Sequence, residues 1–218
     1  MDLIDRERFD VIKQKYGSCA SWAVWAPATR GPKSNIGDLS IFDLAANPTT
    51  LDTLNGSVVM VGLNISRSFV EPFRNFHDPN PNANDFKIRY TFASTPYYGA
   101  YMTDIIKNVE MVKSADLISH LRAHPTLIHS NVTTFRQELR DLPCRRPTIL
   151  AFGLAAYNLL AENLLPEEYL SLTRLTHYSH QIGKEKYRET VLAQVSASRA
   201  TRLPSEPSAN AAARGDLR

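Results

Sequence analysis

Cysteines are few and long hydrophobic runs are missing. The two cysteines, Cys19 and Cys144, are too few for a disulfide scaffold, an all-thiolate zinc site or a thiolate-held iron–sulfur cluster, so we expect plain thiols. No apolar stretch approaches the roughly 18 residues that cross a bilayer, and the first residues lack the layout of a secretory signal. The sequence therefore favours a cytoplasmic protein that does not enter a membrane.

A strong charge of one sign is also missing. The 218 residues include 25 Lys and Arg against 22 Asp and Glu, a formal net charge of +3. A protein held on nucleic acid by phosphate attraction alone usually has a heavier basic surface, so a nucleic-acid function needs support from particular residues. The content of 43% hydrophobic and 22% charged residues is typical of one globular domain.

The motifs of several common enzyme classes are absent. There is no Walker A loop, no glycine-rich dinucleotide fingerprint, no G-x-S-x-G elbow and no H-E-x-x-H motif. These absences argue against kinases, Rossmann dehydrogenases, ordinary serine hydrolases and zincins. A metal site at His120, His124 and His129 is disfavoured because Pro125 interrupts the helix and no acidic or thiol ligand is near, which leaves a solvated helix end as the simpler interpretation.

Short apolar runs without strict alternation predict four buried parallel strands, at residues 57–61, 100–103, 148–152 and 169–176. Helices are expected at 114–122, 132–142, 154–164 and 184–197, and residues 20–26 could add an edge element after an N-terminal helix. Because strands alternate with helices, we expect an α/β protein, with one three-layer α/β/α domain over residues 1–200 and a central, mainly parallel four-stranded sheet. Residues 201–218 have few large apolar side chains and are predicted to form a disordered tail.

Polar residues follow three of the predicted strands. In an open parallel sheet, ligands bind beyond the carboxyl ends of the strands, so Asn64, Asp104 and His177 are expected to face one crevice. Each also has a simpler explanation. Asn64 could be a turn residue, Asp104 the cap of a helix starting at the next residue, and His177 a structural histidine. Their shared position favours a common site but does not identify a reaction.

Four segments form an ordered set of motifs. They are Val59-Met-Val-Gly-Leu-Asn-Ile65, Gly99-Ala-Tyr-Met-Thr-Asp-Ile-Ile-Lys107, Pro147-Thr-Ile-Leu-Ala-Phe-Gly-Leu-Ala-Ala-Tyr-Asn-Leu-Leu160 and Thr176-His-Tyr-Ser179. In this order they resemble the uracil-DNA glycosylase superfamily, with its G-L-N-P-like motif, its T-N-hydrophobic-hydrophobic-K strand end, its I-x-x-x-G-x-x-A-x-x-L strand and helix, and its H-P-S motif. The resemblance covers about residues 57–197, and Tyr178 replaces the proline of the last motif.

The resemblance implies that Asn64 positions the attacking water and that His177 hydrogen-bonds the departing base. Breaking an N-glycosidic bond creates an oxocarbenium-like sugar and an anionic base, so both tasks must be filled. Gly62 and Ser66 belong to the implied base pocket, and Phe76 is the candidate ring for stacking a flipped-out base, unless it is only a core residue. No lysine is placed for a Schiff base, which implies an abasic product, and no metal or organic cofactor is implied.

Two departures from the family pattern change the expected base. Asp104 stands where the family has its uracil-reading Asn, and an ionised carboxylate can only accept hydrogen bonds, so it would face uracil O4 lone pair to lone pair. Cytosine instead offers its N4 amino group, and a protonated Asp104 could donate to N3. Ser66 stands where a uracil-specific branch has a Tyr that excludes C5 substituents. We therefore predict a C5-modified cytosine.

Taken together, the chain is similar to bacterial anti-phage glycosylases that remove hydroxymethylated and glucosylated cytosine from viral DNA. The implied partner is phage DNA, with no membrane and no obligate protein partner. Candidate contacts to an attached sugar or to phosphates are Arg67, Arg74, Asn75, His77, Ser179 and Lys184, although the helix that starts at Lys184 could equally be a solvated face. Two other functions stay open: a repair glycosylase for uracil or mispaired thymine, and a non-catalytic module that binds unusual bases in DNA.

Overall fold

One sheet lies at the centre of the protein, whose computed structural model describes residues 4–65, 70–111 and 113–200. Its five strands are β1 (Ala20–Trp22), β2 (Asn55–Asn64), β3 (Ala100–Ile106), β4 (Thr148–Phe152) and β5 (Ser171–Leu175), in the spatial order β1-β3-β2-β4-β5. The four predicted strands form the parallel part of the sheet. The fifth, β1, pairs antiparallel with β3 at the edge, within the segment that the sequence marked as a candidate edge element.

The described part of the chain contains seven α-helices. They are α1 (Arg6–Tyr16), α2 (Thr50–Thr53), α3 (Asp85–Phe92), α4 (Ser114–Ala123), α5 (Pro125–Asp141), α6 (Leu154–Asn163) and α7 (Lys184–Ala200). Helices α3 and α7 pack on one face of the sheet, and α1, α4, α5 and α6 form the layer on the other face. The predicted three-layer α/β/α architecture is therefore confirmed, with five strands instead of four.

The central strand is buried on both faces, which explains its uninterrupted apolar sequence. Val59 and Val61 of β2 belong to the core under α5 and α6, whereas Val58 and Met60 belong to the core under α3 and α7. Since alternate side chains of a strand point to opposite faces, a strand between two helical layers needs apolar residues at every position.

Several predicted boundaries were wrong. Strand β2 runs from Asn55 to Asn64 and not from 57 to 61, so Asn64 is its last residue, and β5 is shorter than the predicted 169–176. Strand β3 continues through Ile105 and Ile106, so Asp104 lies inside the strand and does not cap a helix. Helix α5 begins at Pro125 and not at residue 132, because a proline at the first helical position loses no hydrogen bond there. The predicted tail at 201–218 lies outside the described residues.

Helix α3 had no counterpart among the predicted elements, and its buried charges explain the omission. Lys87 and Arg89 are only 5% and 8% exposed. The Lys87 ammonium donates to the carbonyl of His180, and the Arg89 guanidinium donates to the carbonyls of Ala26, Pro32 and Ser34. These charged side chains obscure the apolar face of the helix.

No helix within the described ranges is both long enough and apolar enough to cross a bilayer.

Candidate active site

A cavity of about 900 Å³ opens at the carboxyl end of the sheet. The chain passes from β2 to β3 in one direction across the sheet and from β4 to β5 in the other, so a crevice forms where β2 and β4 lie side by side. Asn64, Asp104 and His177 all line this cavity. The structure thus brings together the three side chains that the sequence expected to converge.

The carboxyl group of Asp104 is buried and held in place. It is 4% exposed, and its Oδ2 accepts a hydrogen bond of 2.8 Å from Asn75 Nδ2. Its Oδ1 lies against Gly62, where an added Cβ atom would collide with it, so any larger residue there would displace the carboxyl group. Burial raises the pKa of Asp104 to about 7, although the Asn75 hydrogen bond and the charge of Lys107 lower it. Both the neutral and the ionised forms are therefore populated near pH 7.

A buried charged cluster supports the backbone at Asp104. Glu138 of α5 accepts hydrogen bonds from Tyr101 Oη at 2.5 Å and from Thr103 Oγ1 at 2.8 Å. Lys107 Nζ lies 2.7 Å from the Glu138 carboxylate and donates to the Asp104 carbonyl at 2.6 Å. A buried charge needs such partners to offset its desolvation. The cluster fastens α5 to the end of β3 that carries Asp104.

The side-chain amide of Asn64 has a defined orientation. Its Nδ2 donates to the carbonyls of Ile65, Val109 and Met111 at 2.9 to 3.1 Å. Because carbonyl oxygens can only accept, the atom they surround must be the nitrogen. The other atom of the amide, Oδ1, is an acceptor on a residue that lines the cavity.

His177 is a neutral hydrogen-bond donor. Its Nδ1 accepts from the backbone N–H of Ser179 at 3.1 Å and lies 2.8 Å from Ser179 Oγ. A backbone N–H can only donate, so Nδ1 is unprotonated and Nε2 carries the proton. Burial lowers the pKa of His177 to about 4, which keeps the ring neutral at pH 7. The ring also stacks on Tyr178, with centroids 4.3 Å apart.

Three aromatic rings form one wall of the cavity: Phe76, Phe152 and Tyr178. Tyr178 meets Phe152 edge to face at 5.3 Å and Phe76 at 6.4 Å. Phe76 is 3% exposed and belongs to the core on the α3 and α7 side, so it serves both as a core residue and as cavity wall. The sequence pointed to Phe76 but missed the contribution of Phe152, which looks like any other residue of a buried strand.

Two of the residues predicted to contact a sugar have partners elsewhere in the protein. His77 is fully buried, with Nε2 2.9 Å from the Val24 carbonyl and its ring stacked on Trp25. Arg74 does not line the cavity, since its guanidinium donates to the Gly37 carbonyl and pairs with Glu71. Neither side chain belongs to the residues that line the cavity.

The other predicted contacts have different outcomes. Asn75 lines the cavity, but its amide binds Asp104. Ser179 also lines the cavity, and its contact with DNA stays a prediction. Lys184 lies outside the cavity, where it pairs with Glu185 and lies over the Tyr90 ring. Its contact with a DNA phosphate stays a prediction. Ser66 and Arg67 lie outside the described residues.

Candidate metal ligands are sparse in the described parts of the chain, where no group of three or more His, Cys, Asp or Glu side chains is arranged to hold an ion. His120 and His124 lie with ring centroids 4.4 Å apart at the junction of α4 and α5. Cys19 and Cys144 are both free, and burial raises the pKa of the Cys19 thiol to about 11.

Acid should destabilise the fold through His77. Burial lowers the pKa of His77 to about 4 in the folded protein, whereas the unfolded chain takes up the proton near the ordinary pKa of 6.5. The unfolded state thus binds more protons below about pH 6.5, and stability falls as the pH decreases toward 4, by about 2 kcal/mol between pH 7 and 5. Between pH 7 and 5, urea unfolding should show a change in stability that is about 2 kcal/mol less favourable in the wild type than in His77→Gln. The comparison of the two proteins is needed because His177, with its lowered pKa, adds a loss and Asp104, with its raised pKa, adds an opposing gain in both. An equal loss in both would contradict the assignment, and His180→Gln, at an exposed histidine, is the control.

The cavity therefore holds an amide acceptor on Asn64, a neutral N–H donor on His177 and a carboxyl group on Asp104 that titrates near neutrality. These groups can bind a water molecule and a polar heterocycle side by side. No protein-family model matches the chain, and no curated protein or solved structure is significantly similar to it.

Proposed function

We propose that this protein is a DNA glycosylase that hydrolyses the N-glycosidic bond of a C5-modified cytosine and leaves an abasic site. The substrate would be a hydroxymethylated or glucosylated cytosine flipped out of phage DNA. The observation that carries the proposal is the convergence of Asn64, Asp104 and His177 in one cavity. For base removal, residues of this cavity must perform three functions: position the water, stabilise the departing base and recognise the edge of the base.

The states of Asn64 and His177 suit the first two tasks. The nitrogen of the Asn64 amide is held by backbone carbonyls, and among the described residues no donor is placed on its Oδ1, which would orient a water molecule toward the sugar. His177 Nε2 carries a proton without a positive charge, and it would donate to the base oxygen on which negative charge develops. Donors fixed before the reaction stabilise such charge without reorganisation.

Asp104 suits the third task for a cytosine-type base. In its ionised form the carboxylate accepts from the exocyclic N4 amino group, and in its neutral form it can also donate to N3. The cavity volume of about 900 Å³ is near the upper end of the ordinary range for small-molecule sites, about 300–1,000 Å³. A base with a large C5 substituent would use more of this space than an unmodified base.

Removal of uracil is the second candidate, and the protonation of Asp104 favours it. Because the pKa of Asp104 is about 7, a neutral fraction exists at physiological pH. A neutral carboxyl group can donate to uracil O4 and accept from N3–H, which an ionised carboxylate cannot do. Uracil release should therefore weaken relative to cytosine release as the pH rises through 7.

A base-release panel tests the proposal. The protein is incubated with DNA containing cytosine, hydroxymethylcytosine, glucosylated hydroxymethylcytosine or uracil, and released base is identified by mass spectrometry. We expect release of a modified cytosine and an alkali-labile site in the DNA, with ordinary cytosine retained. Binding of modified DNA without release of any base would contradict the proposal and favour a non-catalytic module.

A further inference from the structure

The segment before α3 has a strained backbone. Phe73 and Phe76 have φ angles of +65° and +64°, in the left-handed region that favours glycine. A non-glycine residue held there costs about 1–3 kcal/mol and persists only where the surroundings determine it. Here they do, since Phe73 N–H donates to the Gly17 carbonyl at 2.7 Å and Trp25 Nε1 donates to the Phe76 carbonyl at 3.3 Å.

The buried ring of His77 adds a third anchor. Its Nδ1 lies 3.1 Å from the Asn75 carbonyl and 3.1 Å from Ser21 Oγ, and its Nε2 lies 2.9 Å from the Val24 carbonyl. The backbone on both sides of Asn75 is therefore held by residues that lie before, within and just after β1. This strained and anchored turn delivers one side chain, that of Asn75, to the carboxyl group of Asp104.

The Asn75 amide has only one possible orientation. Its Nδ2 donates to the Cys19 carbonyl and to Asp104 Oδ2, both at 2.8 Å. The Cys19 carbonyl can only accept, so the nitrogen and not the oxygen faces Asp104. Asp104 Oδ2 is thus always an acceptor, and the proton of a neutral Asp104 resides on Oδ1, the oxygen beside Gly62.

We infer that Asn75 is a positioning residue that fixes which oxygen of Asp104 carries the proton, and thereby which base edge the cavity accepts. With Oδ2 occupied by the amide, the carboxyl group presents one donor and one acceptor in a fixed order. Without Asn75 either oxygen could be protonated, and the order would be lost. The inference about base choice rests on the proposed function, whereas the coupling between Asn75 and Asp104 does not.

The coupling also predicts a titration. The charged and titratable groups around Asp104 are Lys107 beyond the end of β3, Glu138 on α5, Asp85 on α3, Tyr178 after β5 and Cys19 before β1. The hydrogen bond from Asn75 to Asp104 Oδ2 favours the ionised form of the carboxyl group. Removing it leaves burial and the acidic neighbours to favour the neutral form more strongly.

The experiment is a titration of the Asp104 carboxyl carbon by NMR, with the signal assigned by its loss in Asp104→Asn. In Asn75→Ala we expect the pKa of Asp104 to rise by about one pH unit. The reason is that the free energy of a hydrogen bond to a charged group corresponds to a pKa shift of about that size. Asn75→Gln, which keeps the amide, should restore part of the difference. Asn158→Ala is the matched control, since Asn158 lines the same cavity without a hydrogen bond to Asp104.

Each result distinguishes the inference from the proposed function. An unchanged titration in folded Asn75→Ala overturns the inference, whatever the wild type excises. If Asn75→Ala does not fold, Asn75→Ser replaces it, since serine is polar but too short to reach Asp104. In the base-release panel, Asn75→Ala should raise uracil release relative to modified cytosine at pH 7, and an unchanged ratio overturns the role in base choice. A shifted titration with no base released by the wild type supports the coupling and overturns the proposed function.

Discussion

Replacing Asp104 with Asn should move the preference of the protein from a cytosine-type base to uracil. The new amide can donate to uracil O4 and accept from N3–H, whereas the ionised carboxylate that it replaces can only accept hydrogen bonds. A buried hydrogen-bonding site that is mismatched to its ligand can change discrimination by about 10⁴-fold. The ratio of kcat/KM for uracil and for modified cytosine in DNA measures the effect.

The control for this substitution lies in the same cavity. Asp78 also lines the wall, and its Oδ1 accepts from the backbone N–H of Asn80. Asp78→Asn keeps an acceptor at that position and should leave the ratio unchanged. If Asp104→Asn loses release of modified cytosine but gains nothing toward uracil, Asp104 does not read the base edge. An equal change in both variants would indicate a general effect of charge on the cavity.

Replacing His177 with Ala should lower the rate of base release by about 10² to 10³-fold, the usual cost of removing one preorganised donor to a developing anion. Binding of substrate DNA should change little, because the donor acts chiefly after charge has moved onto the base. Single-turnover release of base measures the chemical step, and a DNA-binding titration measures the affinity.

His180→Ala is the matched control for His177. Its exposed side chain belongs to the same loop, and its backbone N–H donates to the His177 carbonyl, a bond that the substitution preserves. A rate of base release in His177→Ala equal to that of the wild type would exclude a catalytic role for the imidazole. A loss of DNA binding equal to the loss of rate would instead assign His177 to binding.

The fold was predictable where burial acts on a continuous stretch of sequence. The apolar runs at β2 and β4 predict these strands because both of their faces are covered by helices. The alternation of strands with helices predicts the three-layer architecture. The candidate site was predictable to the extent that chain order and strand ends determine it. Asn64, Asp104 and His177 lie far apart in the sequence but at the same edge of the sheet, and this edge follows from the parallel arrangement.

The roles of neighbouring polar residues were not predictable in the same way. Asn75 and His77 look alike in the sequence as polar residues beside Phe76, yet the first lines the cavity and the second is buried against Trp25. Two phenylalanines in this turn, Phe73 and Phe76, have positive φ angles, and no sequence pattern predicts a non-glycine residue in that conformation.

The sequence by itself determined the layered α/β architecture and the edge of the sheet where polar residues gather, because hydrophobic periodicity and strand order act locally or through simple topology. Only the tertiary structure decided the state of each polar group. The amide of Asn75 meets a carboxyl group 29 positions away, and His77 meets a carbonyl 53 positions away. Protonation and orientation depend on burial and on partners that are distant along the chain.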